Sequence, residues 1–276
     1  MPKDFTLAIV DRYRVVPGKK LSIAQCPTRE KKFKDIPKST TKERIEQLRD
    51  RLDELQGIFY AQHQHKLLII LQAMDTGGKD GTIRSVFKGV NPQGVRVVSF
   101  KVPTPAELDH DYLWRVHSQV PGKGEMVVFN RSHYEDVLAV RVHHLVDAKI
   151  WSRRYDHINA FERMLTDEGT VILKFFFHIG KDEQRKRLQE RLEDPKKNWK
   201  FRIGDPTERR LWHDYMQAYE DVLNRTSTPY APWYVIPADE KLYRNLTVLS
   251  VLVQKLEELK LKYPPSEENL KGVSVK

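Results

Sequence analysis

Five short apolar runs along the chain have the length and composition of buried β-strands. Each holds four to seven residues and contains Val, Ile, Leu or Phe. Helical spacing appears between them, and strands that alternate with helices are typical of a parallel sheet covered on both faces. The sequence therefore predicts an α/β fold with a five-stranded parallel sheet. The runs are Leu67–Leu71, Val95–Phe100, Met126–Phe129, Val171–Phe177 and Trp233–Ile236.

Long helices are predicted where apolar residues recur every three or four positions. The first begins near Thr41, with Ser39, Thr40 or Thr41 as its N-cap. Two later helices are predicted at about Tyr155–Leu165 and Lys241–Leu261. These helices supply the apolar faces that cover the sheet.

We expect a single domain over residues 1–276. Residues 1–40 are basic and interrupted by prolines, which predicts an extended N-terminal arm over the body of the protein. Within this arm the apolar positions of Phe5–Ile9 suggest a short element. Residues 264–276 are polar, and they predict a loose tail.

Residues 181–210 form a strongly charged, mainly basic segment between the fourth and fifth strand runs. This position predicts a helical excursion away from the sheet. The segment is either a solvated helix pair with i,i+4 ion pairs or a mobile lid that closes over a phosphate chain. The charge pattern alone does not choose between these alternatives.

The net charge of +10, from 48 Lys and Arg against 38 Asp and Glu, favours a polyanionic partner. Nucleic acid, an anionic membrane surface and another phosphate polymer all meet that description. The single cysteine, Cys26, excludes an intramolecular disulfide and a cysteine-based zinc site. Residues 1–15 lack a secretory pattern, and no stretch reaches the ~20 apolar residues that span a bilayer. We therefore expect a cytoplasmic protein.

A glycine-rich turn follows the first apolar run and leads into a helical pattern. This order is typical of a phosphate-binding loop, or Walker A motif, because the glycines let backbone N–H groups approach phosphate oxygens while Lys79 supplies positive charge. The match is imperfect, since Ala73 replaces the usual first glycine and Asp80 the Mg²⁺-binding hydroxyl. The alternative is a tight turn with a solvated lysine. The loop residues are Thr76, Gly77, Gly78, Lys79, Asp80, Gly81 and Thr82.

The third apolar run leads into a second motif, FNRSHYED. Arg131 can bridge phosphates bidentately, whereas His133 is either a general base or a hydrogen-bonding residue. Asp75 and Asn130 lie at the carboxyl ends of two predicted strands, where parallel sheets bind ligands, so we expect both in one crevice. Hard divalent cations prefer oxygen ligands. The candidate Mg²⁺ ligands are Asp75, Asn130 and Glu135.

A third cluster follows the second apolar run, at residues 101–115. In a kinase with two substrates this segment would form a wall for the acceptor nucleotide. The alternative is a helix cap with a core tryptophan, Trp114. The candidate acceptor residues are Pro103, Thr104, Glu107, Asp111 and Arg115.

These motifs together resemble the polyphosphate kinase 2 family, the polyphosphate:nucleotide phosphotransferases. The resemblance covers residues 31–263 and is carried, in order, by LQAMDTGGKDGTI, FNRSHYED, KFFFHIGKDEQRKRLQERLEDPKKNWKF and APWYVIPAD. It implies a thymidylate-kinase-like P-loop fold, a three-layer sandwich with a helical lid. It also implies reversible transfer of the terminal phosphate of inorganic polyphosphate to AMP or ADP. Mg²⁺, or alternatively Mn²⁺, is the implied cofactor, and guanine nucleotides are alternative substrates.

The resemblance also assigns roles to individual residues. It makes Asp75 a magnesium-site carboxylate, Lys79 the lysine at the transferred phosphate and Arg131 a phosphate contact, so these three are the catalytic candidates. A polyphosphate partner accounts for the positive charge, and we expect a homo-oligomer, a dimer or tetramer, with no nucleic-acid or membrane partner. The lid positions that resemble a polyphosphate track are Arg187, Arg191, Lys197, Lys200 and Arg209.

Asn130 resembles the subgroup that accepts both AMP and ADP, whereas members with Asp at this position favour one of them. One negative charge fewer would ease the approach of an acceptor that carries an additional phosphate. We treat this as a hypothesis.

Two other functions stay open at the level of the sequence. An ATP-dependent nucleotide kinase on the same fold would close its basic lid on ATP. A basic nucleic-acid-binding protein would need aromatic residues among the basic ones to stack bases, and the lid offers mainly Trp199 and Phe201.

Overall fold

A computed structural model describes residues 10–31, 36–266 and 274. Within these ranges five strands form one parallel sheet in the order β2-β3-β1-β4-β5. Each predicted apolar run is a strand, and each strand end lies within two residues of its prediction. The α/β fold class is therefore confirmed. The strands are β1 Lys66–Ala73, β2 Val95–Ser99, β3 Met126–Asn130, β4 Thr170–His178 and β5 Trp233–Pro237.

Helices connect the strands and include the three long ones that the sequence predicts. The short 3₁₀ turns of the described ranges span Ile23–Gln25, His133–Asp136 and Asn198–Lys200. The α-helices are α1 Lys38–Gln62, α2 Lys79–Val86, α3 Pro105–Leu108, α4 Trp114–His117, α5 Ala139–Val142, α6 Ala148–Trp151, α7 Arg154–Asp167, α8 Lys181–Glu193, α9 Asp205–Arg210, α10 Trp212–Thr226 and α11 Lys241–Glu258.

The predicted N-cap of α1 is wrong. The helix starts at Lys38 with Pro37 as the N-cap residue, so Ser39, Thr40 and Thr41 all lie within its first turn. Proline fixes its own φ near the helical value and cannot donate a hydrogen bond, which suits it to the start of a helix. The hydroxyl of Thr41 donates to the Pro37 carbonyl at 3.3 Å.

Both faces of the central strands are covered. Residues 67–73 of β1 are all buried, although successive side chains of a strand point to opposite faces. Helices α1 and α11 pack together and α11 also contacts α2, while α7 packs on β4 and against α10. The sheet thus lies between helical layers, and the carboxyl ends of β1 and β3 are adjacent because these strands pair directly.

The described part of the N-terminal arm runs along the outer edge of β5. The Val15 N–H donates to the Trp233 carbonyl at 2.8 Å, and the Val235 N–H donates to the Tyr13 carbonyl at 2.9 Å. This short antiparallel contact covers an edge that would otherwise be free to pair with another chain. The predicted element at Phe5–Ile9 lies outside the described residues, as does most of the predicted tail at 264–276.

The charged segment 181–210 is a helical excursion between β4 and β5, as predicted. It consists of α8, a 3₁₀ turn and α9. We call residues 181–210 the lid. Across the described ranges, we find no helix with the length and apolar character needed to cross a membrane.

Candidate active site

The turn between β1 and α2 requires its glycines. Thr76 has a φ of 60° and Gly78 a φ of 100°, both in the left-handed region. A Cβ atom on Gly77 would lie 2.5 Å from the Cβ atom of Ala73, and one on Gly78 would collide with the guanidinium of Arg244. The chain therefore makes a tight loop whose backbone is open at the glycines, the arrangement that binds phosphate oxygens.

Lys79 is the first residue of α2 and folds back over the loop. Its Nζ atom donates to the Ala73 carbonyl at 3.1 Å. Burial and the nearby Arg131 lower the pKa of Lys79, while the carboxylates of Asp75 and Glu135 act in the opposite direction. The lysine is thus close to every charged candidate of the first two motifs, in the position expected of a phosphate-binding cation.

Arg131 brings the second motif to the loop. Its backbone N–H donates to the Leu71 carbonyl at 3.2 Å, which extends the β3–β1 pairing by one residue. Its φ of 64° turns the chain sharply away from the sheet, and its Nη2 atom lies 3.4 Å from Oδ1 of Asp75. The ends of β1 and β3 therefore lie side by side, and this brings Asp75 next to Arg131. Burial lowers the pKa of Arg131, but the carboxylates of Glu135 and Asp75 outweigh it and leave the pKa raised.

Asn130 and Glu135 are held by neighbours on both sides of the crevice. The Asn130 amide donates to Oδ1 of Asp80 at 2.8 Å. Asp80 takes the place of the usual Mg²⁺-binding hydroxyl, and Asn130 takes the place of an aspartate in the second motif, so the two departures from the usual motifs contact each other. The Gln72 amide can donate to Oε1 of Glu135 at 3.1 Å while its oxygen accepts from Ser132. Two motifs distant in sequence are therefore joined by direct side-chain contacts.

His133 belongs to a buried polar network beneath the crevice. Its Nε2 atom lies 3.2 Å from Oε1 of Glu162, and both side chains are fully buried. The same carboxylate accepts from the Tyr134 hydroxyl at 2.7 Å and pairs with the Lys174 ammonium at 2.5 Å. These contacts favour the hydrogen-bonding interpretation of His133 over the general base.

The lid residue Arg187 is buried under the phosphate-binding loop. Its guanidinium donates to the Thr76 carbonyl at 3.0 Å and to the carbonyls of Ala238 and Asp239 at 2.8 Å. Its Nε atom donates to Glu183 at 2.8 Å. Arg187 therefore links α8 to the loop through hydrogen bonds within the protein, and it does not lie on an open surface where polyphosphate could bind.

The remaining lid candidates occupy more open positions. Lys200 lies 3.8 Å from the Asp80 carboxylate, which places it across the crevice from the loop. Lys197 is about half exposed, and Arg191 is partly exposed on α8. Arg209 donates to the first carbonyl of α8 at 2.7 Å. Their use as a polyphosphate track stays a prediction.

The acceptor candidates mainly support local structure. Thr104 and Glu107 form a reciprocal capping box at the start of α3. Arg115 is buried and donates to the Lys101 carbonyl at 2.9 Å, and Asp111 lines a cavity of about 380 Å³. The helix-cap interpretation is thus present, while Pro103 lies just before the cap. The other half of that alternative is wrong, because Trp114 is 47% exposed and stacks on His110 rather than lying in the core.

The oxygen-rich crevice fits a magnesium ion that shares its coordination with substrate. Asp75 lies 3.4 Å from Arg131, and the carboxylates of Asp75 and Glu135 are both near enough to act on the pKa of Lys79 and of Arg131. Over residues 10–31, 36–266 and 274, no group of three or more His, Cys, Asp or Glu side chains forms a ready metal cage. Mg²⁺ commonly uses one or two carboxylates plus phosphate oxygens, and this donor set suits it.

Arg244 contacts the loop from the core side and is not among the site residues predicted from the sequence. It lies near the start of α11, is 2% exposed and donates to the Gly77 carbonyl at 3.2 Å. The signal in the sequence was an arginine in the first turn of the predicted last helix, five residues after the strand-end sequence IPAD.

The glycine-rich loop after β1, its lysine and the arginine after β3 define a P-loop phosphotransferase site. A sequence profile described as "Polyphosphate kinase 2 (PPK2)" matches residues 35–264. The chain belongs to the polyphosphate kinase 2 family.

Individual relatives match over nearly the whole chain. An AMP/ADP-polyphosphate phosphotransferase of Meiothermus ruber is 58% identical over 93% of this chain and 96% of its own length. An ADP-polyphosphate phosphotransferase of Rhodopseudomonas palustris is 44% identical over 92% and 91%. The crystal structure of polyphosphate kinase 2 from Arthrobacter aurescens TC1 superposes with a TM-score of 0.91 and 42% identity, covering 95% of this chain and 94% of that one.

Proposed function

We propose that this protein transfers the terminal phosphate of inorganic polyphosphate to AMP and ADP, forming ADP and ATP. The observation that carries the proposal is the crevice in which Lys79, Arg131 and Asp75 meet, in a member of a family whose relatives are named for this reaction. The reaction is reversible, since each phosphoanhydride bond that breaks is replaced by another.

The residues of this chain act by placing charge. An oxygen of the acceptor's terminal phosphate forms a bond to the last phosphorus of polyphosphate, while the bridging P–O bond breaks and the shortened polymer leaves. Lys79 and Arg131 are positioned to neutralise the phosphoryl group in transit, and loop N–H groups to hold its oxygens. The attacking oxygen is already ionised at neutral pH, so no general base is needed, in line with the buried position of His133.

We further propose Asp75 and Glu135, with Asn130, as the residues that hold Mg²⁺. When bound, the ion neutralises phosphate charge and helps to orient donor and acceptor. Asn130 donates to Asp80 in this structure, so its amide would have to release that contact or present its oxygen to the ion.

The proposal is tested by supplying phosphate donors one at a time. Purified protein is incubated with ADP, Mg²⁺ and polyphosphate, and ATP is followed by a coupled luciferase assay. We expect ATP with polyphosphate as the sole donor and ADP from AMP under the same conditions. If the nucleotide is phosphorylated with ATP as the only donor, and not with polyphosphate as the only donor, the protein is instead an ATP-dependent nucleotide kinase.

A nucleic-acid-binding function receives less support. The exposed aromatic residue of the lid is Trp199, and its ring lies 4.9 Å from the Lys200 ammonium. Tight binding of single-stranded DNA, without phosphate transfer after addition of Mg²⁺, would favour that function.

A further inference from the structure

Two buried arginines donate hydrogen bonds to the phosphate-binding loop from its core side. Arg244, from α11, donates to the Gly77 carbonyl at 3.2 Å, and Arg187, from α8, donates to the Thr76 carbonyl at 3.0 Å. Both side chains are less than one-tenth exposed. Consecutive carbonyl groups of the loop are therefore each bonded to a guanidinium on the side that faces the core.

Arg244 fits the loop more closely than its single bond to Gly77 suggests. A Cβ atom on Gly78 would overlap the Arg244 Nη1 atom, so the guanidinium lies directly against the Gly78 backbone. Its neighbour Asn245 accepts from Arg244 and also from the Thr82 hydroxyl at 3.3 Å. The start of α11 thus supports both the glycines and the first turn of α2.

The Gly77 carbonyl and the Gly78 N–H belong to one planar trans peptide unit, in which these two groups point in opposite directions. Because Arg244 binds the carbonyl from the core side, it directs the Gly78 N–H toward the opposite, outer side of the loop. Backbone N–H groups in that orientation are what a glycine-rich loop offers to phosphate oxygens.

The described hydrogen-bond partners of the Arg244 guanidinium are both neutral. They are the Gly77 carbonyl and the Asn245 amide oxygen. By contrast, Arg187 has Glu183 as an ion-pair partner. Burial, together with Arg187, lowers the pKa of Arg244 to about 9. A buried cation without a carboxylate on its guanidinium adds positive potential to the loop, where anionic phosphates bind.

We propose that Arg244 is a positioning residue for the donor phosphates, which acts through the Gly77–Gly78 peptide without touching the substrate. This inference rests on the proposed function, since it takes the donor bound by the loop to be polyphosphate. The loop is held in its binding form before the donor arrives, and loss of Arg244 weakens donor binding more than acceptor binding.

The test compares Arg244→Met, which removes the charge and the donors, with Arg244→Lys, which keeps the charge. The matched control is Arg49→Met, because Arg49 is also largely buried and donates to the backbone carbonyl and hydroxyl of Ser85, at the far end of α2. Melting temperature, KM for polyphosphate and KM for ADP are measured for each variant.

We expect Arg244→Met to raise KM for polyphosphate about tenfold or more, the usual effect of losing a charge-assisted hydrogen bond. KM for ADP should change less than twofold, and Arg244→Lys should recover part of the loss. Arg49→Met should lower the melting temperature without changing either KM. A folded Arg244→Met variant with wild-type KM for polyphosphate would overturn the inference, as would an equal rise in KM for Arg49→Met. If Arg244→Met does not fold, an Arg244→Lys variant with unchanged donor KM overturns it.

A binding measurement separates this inference from the proposed function. Inorganic tripolyphosphate should raise the melting temperature of the wild-type protein, and the rise should be smaller for Arg244→Lys. If the wild type transfers no phosphate from polyphosphate but shows this difference, the proposed function fails and the role of Arg244 in phosphate binding stands. Equal shifts in both proteins contradict the role of Arg244.

Discussion

Lys79 is the cation on which we expect phosphate transfer to depend most. Its half-buried side chain lies among the charged groups of both motifs and donates to the Ala73 carbonyl at 3.1 Å. We expect Lys79→Ala to lower kcat by about a hundredfold or more with either AMP or ADP, the scale seen when one transition-state donor is removed. Steady-state assays with each acceptor measure the loss.

The matched control for this change is Lys88→Ala. Lys88 is exposed and lies just beyond the end of α2, so its loss should leave turnover near the wild-type value. Retention of most activity by Lys79→Ala would mean that the site has been misplaced.

Asn130 is the residue expected to govern the choice between AMP and ADP. Its amide donates to Asp80 at 2.8 Å, and aspartate at this position would place two carboxylates in contact. The repulsion should disturb the loop and add negative charge near the acceptor. We therefore expect Asn130→Asp to change the ratio of kcat/KM for AMP to that for ADP, measured in parallel assays. An unchanged ratio would rule out this hypothesis.

At the residue scale, the sequence identifies groups that act through a motif and misses groups that act through contacts. Lys79 and Arg131 occupy recognisable positions after predicted strands. Lys174, in the middle of a strand run, donates to Glu162, Tyr134 and the Thr226 carbonyl, whose proximity arises from the fold. Arg244 is hidden in the same way, because its partner in the loop, Gly77, lies 167 residues earlier.

The lid is the element whose positive charge is expected to attract a polyanion. Binding of such a polymer releases counterions, so log affinity should fall linearly with log salt concentration. If Arg191 contacts polyphosphate, Arg191→Gln should reduce that slope by roughly 0.7 to 0.9. Titrations of polyphosphate at several salt concentrations measure it.

The control for the lid is Arg163→Gln. Arg163 is 59% exposed on α7 and pairs with Asp167, away from the lid in the sequence. Its substitution should leave the salt slope unchanged, whereas an equal reduction by both variants would assign the effect to general surface charge.

Strand β4 carries a pH-dependent contribution to stability at its last residue, His178. Burial lowers the pKa of His178, despite the opposing effects of backbone groups and Asp239. The unfolded chain therefore binds a proton at a higher pH than the folded protein, and stability falls as the pH drops below about 6.5. We expect His178→Gln to lose less unfolding free energy than the wild type between about pH 7.5 and about pH 5.5.

Guanidinium denaturation at the two pH values measures this difference. His157→Gln is the control, because His157 is exposed on α7. This variant should lose as much unfolding free energy as the wild type between the two pH values. If His178→Gln loses as much unfolding free energy as the wild type between the two pH values, this histidine contributes nothing to the pH dependence of stability.

At the element scale, continuous apolar runs predict the strands well, because these strands are buried on both faces. Apolar residues that recur every three or four positions predict the long helices equally well. Short pairings are harder to see. The contact of Tyr13 and Val15 with β5 involves only a few residues and depends on an edge supplied by a distant strand. The start of α1 was misplaced for a related reason, since several adjacent polar residues could each serve as a cap.

At the scale of the whole molecule, the strand order explains why one crevice forms. β1 pairs with β3 and β4, and the carboxyl ends of β1 and β3 carry the loop and the second motif. Parallel strands placed side by side bring their C-terminal residues to the same edge. The lid enters this edge from β4, so a polymer held by the loop would also meet basic side chains.

We expect phosphate to pass directly from polyphosphate to the nucleotide at this crevice. The most direct measurement follows ³²P-labelled polyphosphate incubated with unlabelled ADP, Mg²⁺ and either wild-type protein or Lys79→Ala. We predict label in the γ-phosphate of ATP with the wild type and almost none with Lys79→Ala. Unlabelled ATP, label released only as inorganic phosphate, or equal labelling by both proteins would contradict direct transfer at this site.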